Sequence, residues 1–143
     1  MKRILSGLST ALAVTLLATA CTTVTSKETQ LPMSAMNHCA APAGVSLSYG
    51  SLTVALGERP SAGYGIELVG QLEQAGEYDL TYRETRPQPG RMYAQVITQP
   101  CLQVIMPKGW KQVTVTNQDN GKAVTLTPAD DTSAVKKSSK TTP

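Results

Sequence analysis

A single histidine, three cysteines and a few acidic pairs are the side chains of this sequence that could do chemistry. A Cys–His or Ser–His–Asp arrangement needs an imidazole fixed by a scaffold and oriented by a third group. His38 stands beside Cys39 at the edge of a Thr- and Ser-rich stretch, so it is read as a solvated residue. One histidine with Cys39 and Cys101 also lacks the paired short spacings that hold zinc. Glu73 and Glu77 flank a Gln-Ala-Gly turn, and Asp130 and Asp131 lie toward the C-terminus. Neither pair has the desolvated setting that lifts a carboxyl pKa toward the range useful for proton transfer. No glycine-rich phosphate loop with its Lys and Ser/Thr occurs. The residues therefore speak against an enzyme and imply no metal and no cofactor.

The cysteines depend on the compartment. Lys2 and Arg3 precede an uncharged, mostly apolar run from Ile4 to Ala18, and Ala18-Thr19-Ala20 leads into Cys21. This is the pattern of a secretory signal over residues 1–20, too short in its apolar run for a spanning helix. The small residues before Cys21 resemble the bacterial lipoprotein box, with Ala18 where that box usually carries Leu. The resemblance implies cleavage before Cys21, acylation of Cys21, and membrane anchoring by several acyl chains at about 0.8 kcal/mol per buried methylene. The alternative is an ordinary secreted protein cut at the Ala-Thr-Ala site. Thr22, where an Asp would signal inner-membrane retention, points to the outer membrane, facing the periplasm. Without Lys2 and Arg3 the formal charge falls from +3 to +1, so no basic field exists to recruit nucleic acid. Cys39 and Cys101 then remain as an even pair in an exported chain, which reads as one disulfide. It would close a loop of 62 residues and contribute roughly 4 kcal/mol in the chain-entropy model. Two unpaired thiols are the alternative.

Four segments follow: the signal, a Thr/Ser-rich tether over 21–38, a folded domain over 39–127, and a polar, Lys-containing tail over 128–143 read as disordered. Within the domain the apolar residues recur at period two. Leu52, Val54 and Leu56 form one such set; Tyr64, Ile66 and Leu68 another; Tyr78, Leu80 and Tyr82 a third. A weak alternation covers Met92–Thr98. Clear ones include Leu102, Val104 and Met106, then Val113 and Val115, then Val124 and Leu126. Glycine, proline and asparagine punctuate the gaps, and Asn120-Gly121 marks a hairpin. About seven short strands at this spacing predict an all-β domain, a small antiparallel β-sandwich or partly open barrel.

Two Pro/Gly-rich loops hold much of the arginine. Residues 57–64 read Gly-Glu-Arg-Pro-Ser-Ala-Gly-Tyr, and residues 86–91 read Arg-Pro-Gln-Pro-Gly-Arg. Pro60 presets φ and Gly63 relaxes steric limits, so the first loop is complete as a hairpin turn. It is longer than the tightest hairpins need, and Tyr64 follows where an aromatic can brace it. Arg59, Pro60, Ser61, Ala62, Gly63, Tyr64, Arg86 and Arg91 are therefore the candidate partner-binding residues, with the guanidinium forks as polar contacts. Exposed solubilising charge is the plainer reading of the same arginines.

The stretch from about 52 to 110 resembles the PrcB-like domain of bacterial lipoproteins, named for a protease-complex subunit. Gly57, Pro60, Gly63, Tyr64, Ile66, Pro87, Pro89, Gly90, Thr98, Pro100, Pro107 and Lys108 follow that family's pattern in order. Ser61-Ala62 stands in place of its usual Thr-Gly, and Cys101 where an aromatic is common. The resemblance implies a non-catalytic envelope lipoprotein that binds another envelope protein and stabilises or modulates a protease complex. Arg59-Pro60-Ser61-Ala62-Gly63-Tyr64 is also similar to the first binding loop of chagasin-type peptidase inhibitors, with Arg59 in place of Asn. That likeness implies inhibition of a peptidase as the rival function. A structural lipoprotein that binds the cell wall is a third. Oligomeric state is not encoded in any of these features.

Overall fold

The computed structural model describes residues 25–132. Nine strands are present among them: β1 (Lys27–Glu28), β2 (Met33–Met36), β3 (Gly44–Ser48), β4 (Ser51–Ala55), β5 (Gly65–Gln74), β6 (Glu77–Thr85), β7 (Cys101–Ile105), β8 (Gln112–Asn117) and β9 (Ala123–Leu126). They form a five-stranded sheet in the order β1-β5-β6-β8-β9 and a four-stranded sheet in the order β2-β7-β4-β3. The period-two residues meet between the sheets. Leu47, Leu52, Val54, Leu80, Leu102, Val104, Met106, Val113 and Val115 share one buried cluster. The expected all-β sandwich is thus the observed fold, and the sheets do not close into a barrel.

The alternation also sorts what lies outside that core. On β7, Leu102 and Val104 point inward, so Cys101 points outward, and Ala55 opposite it does the same. Cys101 forms the expected disulfide with Cys39, at a Cα–Cα separation of 5.8 Å. The two cysteines and Ala55 are buried in a second, smaller cluster capped by Met36 and Ala41. A covalent clip therefore holds the incoming chain over the outer face of the smaller sheet.

Several elements differ from the sequence reading. Lys27–Glu28 and Met33–Met36, within the segment expected to be tether, pair with β5 and β7. These short edge strands need backbone bonds more than side-chain burial, and Leu31 between them joins the core. Gly44–Ser48, absent from the sequence-based set of strands although Val45 and Leu47 alternate in it, forms a hairpin with β4. Met92–Ile97, expected as a strand, is irregular, and only Thr98 and Gln99 after it make isolated bridges. Met92, Val96 and Ile97 are all exposed, so the segment's weak alternation marks no buried face. The sheet is also not wholly antiparallel: β6 and β8 pair in parallel. The chain leaves β6 for β7 in the other sheet and re-enters at the far end, and that crossover sets the direction. Finally, the β5–β6 register shifts between Leu68 and Gly70, which makes Val69 a bulge residue. Past it Gln71, not Leu72, lies opposite Leu80, and Leu72 is left exposed. Gln71 uses its inward position to accept the Leu31 N–H at 2.9 Å.

At the C-terminal side, Pro128–Asp130 forms a 3-10 turn, and the Asp131 carboxylate accepts the N–H groups of Tyr49 and Gly50 at 2.9 and 2.7 Å. Tyr49 and Gly50 both have positive φ, so this cap sits on a strained β3–β4 turn. The first residues of the expected tail are thus docked. The signal, Cys21 and residues 133–143 lie outside the described residues.

Candidate functional site

β4, β6 and β8 end at the same pole of the sandwich, where β5 and β7 begin. The loops 56–64, 86–100 and 118–122 therefore gather there. A four-residue stretch, Thr98 to Cys101, clasps them. Thr98 exchanges backbone bonds with Arg59, at 2.8 and 2.9 Å. Gln99 accepts the Cys39 N–H and donates to Asn37, Pro100 accepts the Leu56 N–H, and Cys101 is tied to Cys39. The buried Thr98 hydroxyl donates to the Ser61 carbonyl at 2.9 Å. A buried hydroxyl without a partner would be costly, so Thr98 and Ser61 fix each other.

The second loop closes over the first. A Cβ on Gly63 would stand 2.7 Å from Pro87 Cγ, 2.9 Å from Pro87 Cβ and 3.0 Å from Tyr93 Cγ. Only glycine permits that approach. Ala62 donates its N–H to the Ala94 carbonyl at 3.0 Å, and Tyr93 Oη accepts the Gln88 N–H at 3.2 Å. Arg91 N–H reaches the Gln88 carbonyl, with Pro89 and Gly90 at the central positions and Gly90 at φ 77°. That is the geometry of a type II turn.

The eight candidate residues are thus assembled at one pole, but in different capacities. Arg59 is engaged inside the protein. Its Nε and Nη2 donate to the two oxygens of Glu84 at 3.3 and 3.1 Å, and Nη1 donates to the carbonyls of Leu56 and Glu58. The fork expected to face a partner is filled by Glu84, whose own N–H is held by Asp119 Oδ2. Ser61 is buried, while Ala62, Gly63 and Tyr64 are half-buried and Pro60 is exposed. Arg86 lies 3.9 Å from Glu84 Oε1 with most of its side chain in solvent, and Arg91 is exposed. His38 is exposed, and no cluster of metal-ligating side chains occurs among the described residues.

Residues that sequence reasoning missed complete the pole. Glu84 braces Arg59, Tyr93 packs on Gly63, and Met92, Val96 and Ile97 project outward. One signal was available: the last three are apolar residues without sustained alternation, lying just past a Pro-x-Pro-Gly turn.

These features define a small two-sheet β-sandwich with a braced loop pole. From Leu52 in β4 to Pro107 just beyond β7, residues 52–107 match the family described as PrcB C-terminal, which supports the resemblance seen in the sequence. No curated protein and no solved structure matches the chain.

Proposed function

We propose that this protein is a non-catalytic envelope lipoprotein, held by acylated Cys21 on the periplasmic side of the outer membrane, that acts as an accessory subunit of a protease complex. The match of residues 52–107 to the PrcB C-terminal family carries the reading. The loop pole supports it as a binding module: Arg59, Ser61 and Gly63 set the shape, and Pro60, Tyr64, Arg86 and Arg91 supply the contact surface. Loops carried on a rigid sandwich are the usual place for such contacts. The inhibitor alternative finds less support, because it needs residues 59–64 to enter a peptidase cleft, and Ser61 is buried with its carbonyl held by the Thr98 hydroxyl.

The test is native electrophoresis of solubilised envelopes from cells with and without the gene. The expected outcome is a peptidase assembly that contains this chain and shrinks or turns over faster without it. Identical assemblies in both strains overturn the reading. Metabolic labelling with a palmitate analogue tests the anchor separately. Label is expected on the wild type and lost in Cys21→Ala, and an unlabelled wild type overturns acylation.

A further inference from the structure

Twelve residues, 86–97, run over the loop pole with two arginines and no acidic side chain. Met92 is 100% exposed, Ile97 69% and Val96 52%. Single apolar side chains at a surface are ordinary, but three within six residues of one loop make a patch. The loop is also held in place, by the Gly63 contact, the Ala62–Ala94 bond and the Tyr93–Gln88 bond. A pre-shaped loop loses little conformational entropy when a partner closes on it.

We propose that residues 86–97 are the docking face for a protein partner that offers an apolar cleft rimmed by carboxylates, with Met92 inserted and Arg91 and Arg86 paired at the rim. This rests on the binding-module reading above and names the partner's chemistry. Arg91 meets no acid of its own loop, and Arg86, 3.9 Å from Glu84, keeps most of its side chain in solvent, so both are placed to pair with a partner's carboxylates. The unbranched Met92 side chain fills irregular apolar clefts.

An anionic membrane would also suit these side chains, but position favours a protein. Ser26 lies beside Gln74, at the end of β5 opposite the loop pole, and Thr132 lies beside Leu47 and Ser48 at that same far end. Ten residues of β5 span about 30 Å. The four residue-to-residue steps from Cys21 to Thr25 reach at most about 14 Å. A domain standing on its anchor thus carries residues 86–97 away from the bilayer.

The experiment places a benzophenone amino acid at position 92, and separately at the exposed position 60, of the full chain in native envelopes. Adducts are mapped by mass spectrometry. The mapped protein is then purified and titrated with wild type, Met92→Ala and Arg91→Glu. Support is a position-92 adduct in an Asp/Glu-rimmed apolar segment, at least tenfold weaker binding by both variants, and rescue of Arg91→Glu by a Lys at the mapped acid. Unchanged melting of Met92→Ala confirms that the loss is not unfolding. A position-92 adduct with lipid or glycan, or unchanged affinities, overturns the proposal. A protein adduct from position 60 alone removes the docking face and leaves the accessory reading standing. No protein adduct from either position overturns both.

Discussion

Two irregular segments cross the same pole of this sandwich by different means. Residues 37–43 lie on the outer face of the smaller sheet and are fixed by the Cys39–Cys101 bond with Ala55, Met36 and Ala41 packed around it. Residues 86–97 lie over the loop pole and have no covalent tie. They are fixed by hydrogen bonds and one close approach at Gly63, and their apolar side chains face out. The first segment is held by what it buries, so it contributes stability and offers little surface. The second is held by backbone bonds and by the Pro87 and Tyr93 rings, so Met92, Val96 and Ile97 remain available. Removing a tether from the first should therefore lower global stability, and removing one from the second should loosen a loop.

The largest expected effect is on the covalent side. Replacing both cysteines with serine should lower the unfolding free energy by roughly 4 kcal/mol at most, because the bond closes a 62-residue separation in the unfolded chain. Urea unfolding of the oxidised protein and the double variant measures it. An unchanged midpoint would mean that the small cluster around the disulfide already holds the segment unaided.

Gly63→Ala tests the other side. The new Cβ meets the Pro87 ring and Tyr93 at 2.7–3.0 Å, so the second loop must lift. The expected loss is about 1–3 kcal/mol, the usual range for overpacking. The diagnostic is local: amide exchange should quicken at Ala62 and Gln88, while the strand core keeps its protection. Faster exchange throughout the strands would show that the loop is part of the cooperative fold.

The same contrast explains what could be read in the sequence. Strands with one buried face write a period of two into their residues, which is why Leu52/Val54, Leu102/Val104 and Val113/Val115 were legible. The pair Cys39 and Cys101 was legible from compartment and count. β1 and β2 left no such pattern, since they are joined by backbone bonds to one neighbour and expose most of their side chains. The bulge at Val69 was invisible because Gly70 and Leu72 continue the alternation that the bulge interrupts. At the loop pole, the Pro/Gly spacing located the turns but not which arginine was free. That depends on Glu84, which β6 delivers from 25 residues away.

Two Arg–Glu pairs on β6 sharpen the comparison at smaller magnitude. Arg59–Glu84 is partly buried and carries two further bonds from the guanidinium to carbonyls, whereas both side chains of Arg83–Glu67 are half in solvent. Glu84→Ala should cost on the order of 1–2 kcal/mol by stranding a partly buried guanidinium. Glu67→Ala should cost under about 1 kcal/mol, as exposed pairs do. Thermal melts of the two variants at one salt concentration compare them directly. Equal losses would mean that Arg59 finds water as readily as Arg83, and that the loop's brace is its backbone alone.

The smallest effect lies at the far pole and is governed by pH. Asp130 accepts bonds from the Thr127 N–H at 2.7 Å and the Thr127 hydroxyl at 2.9 Å. Those bonds, the backbone one first, hold its carboxyl below its ordinary pKa. A group whose pKa is lowered by folding contributes stability above its unfolded pKa and loses it as pH falls through the folded value. The turn at Pro128–Asp130 should therefore stay closed through neutral pH and open below the usual carboxylate range. Opening should register as faster exchange of the Thr127 amide. Asp130→Asn keeps a carbonyl acceptor but cannot ionise, so its Thr127 exchange, corrected for intrinsic rates, should not change across the same acid range. A wild type whose corrected Thr127 exchange is equally flat would show that the backbone bonds from Asp130 to Thr127 and from Asp131 to Pro128 hold the turn by themselves.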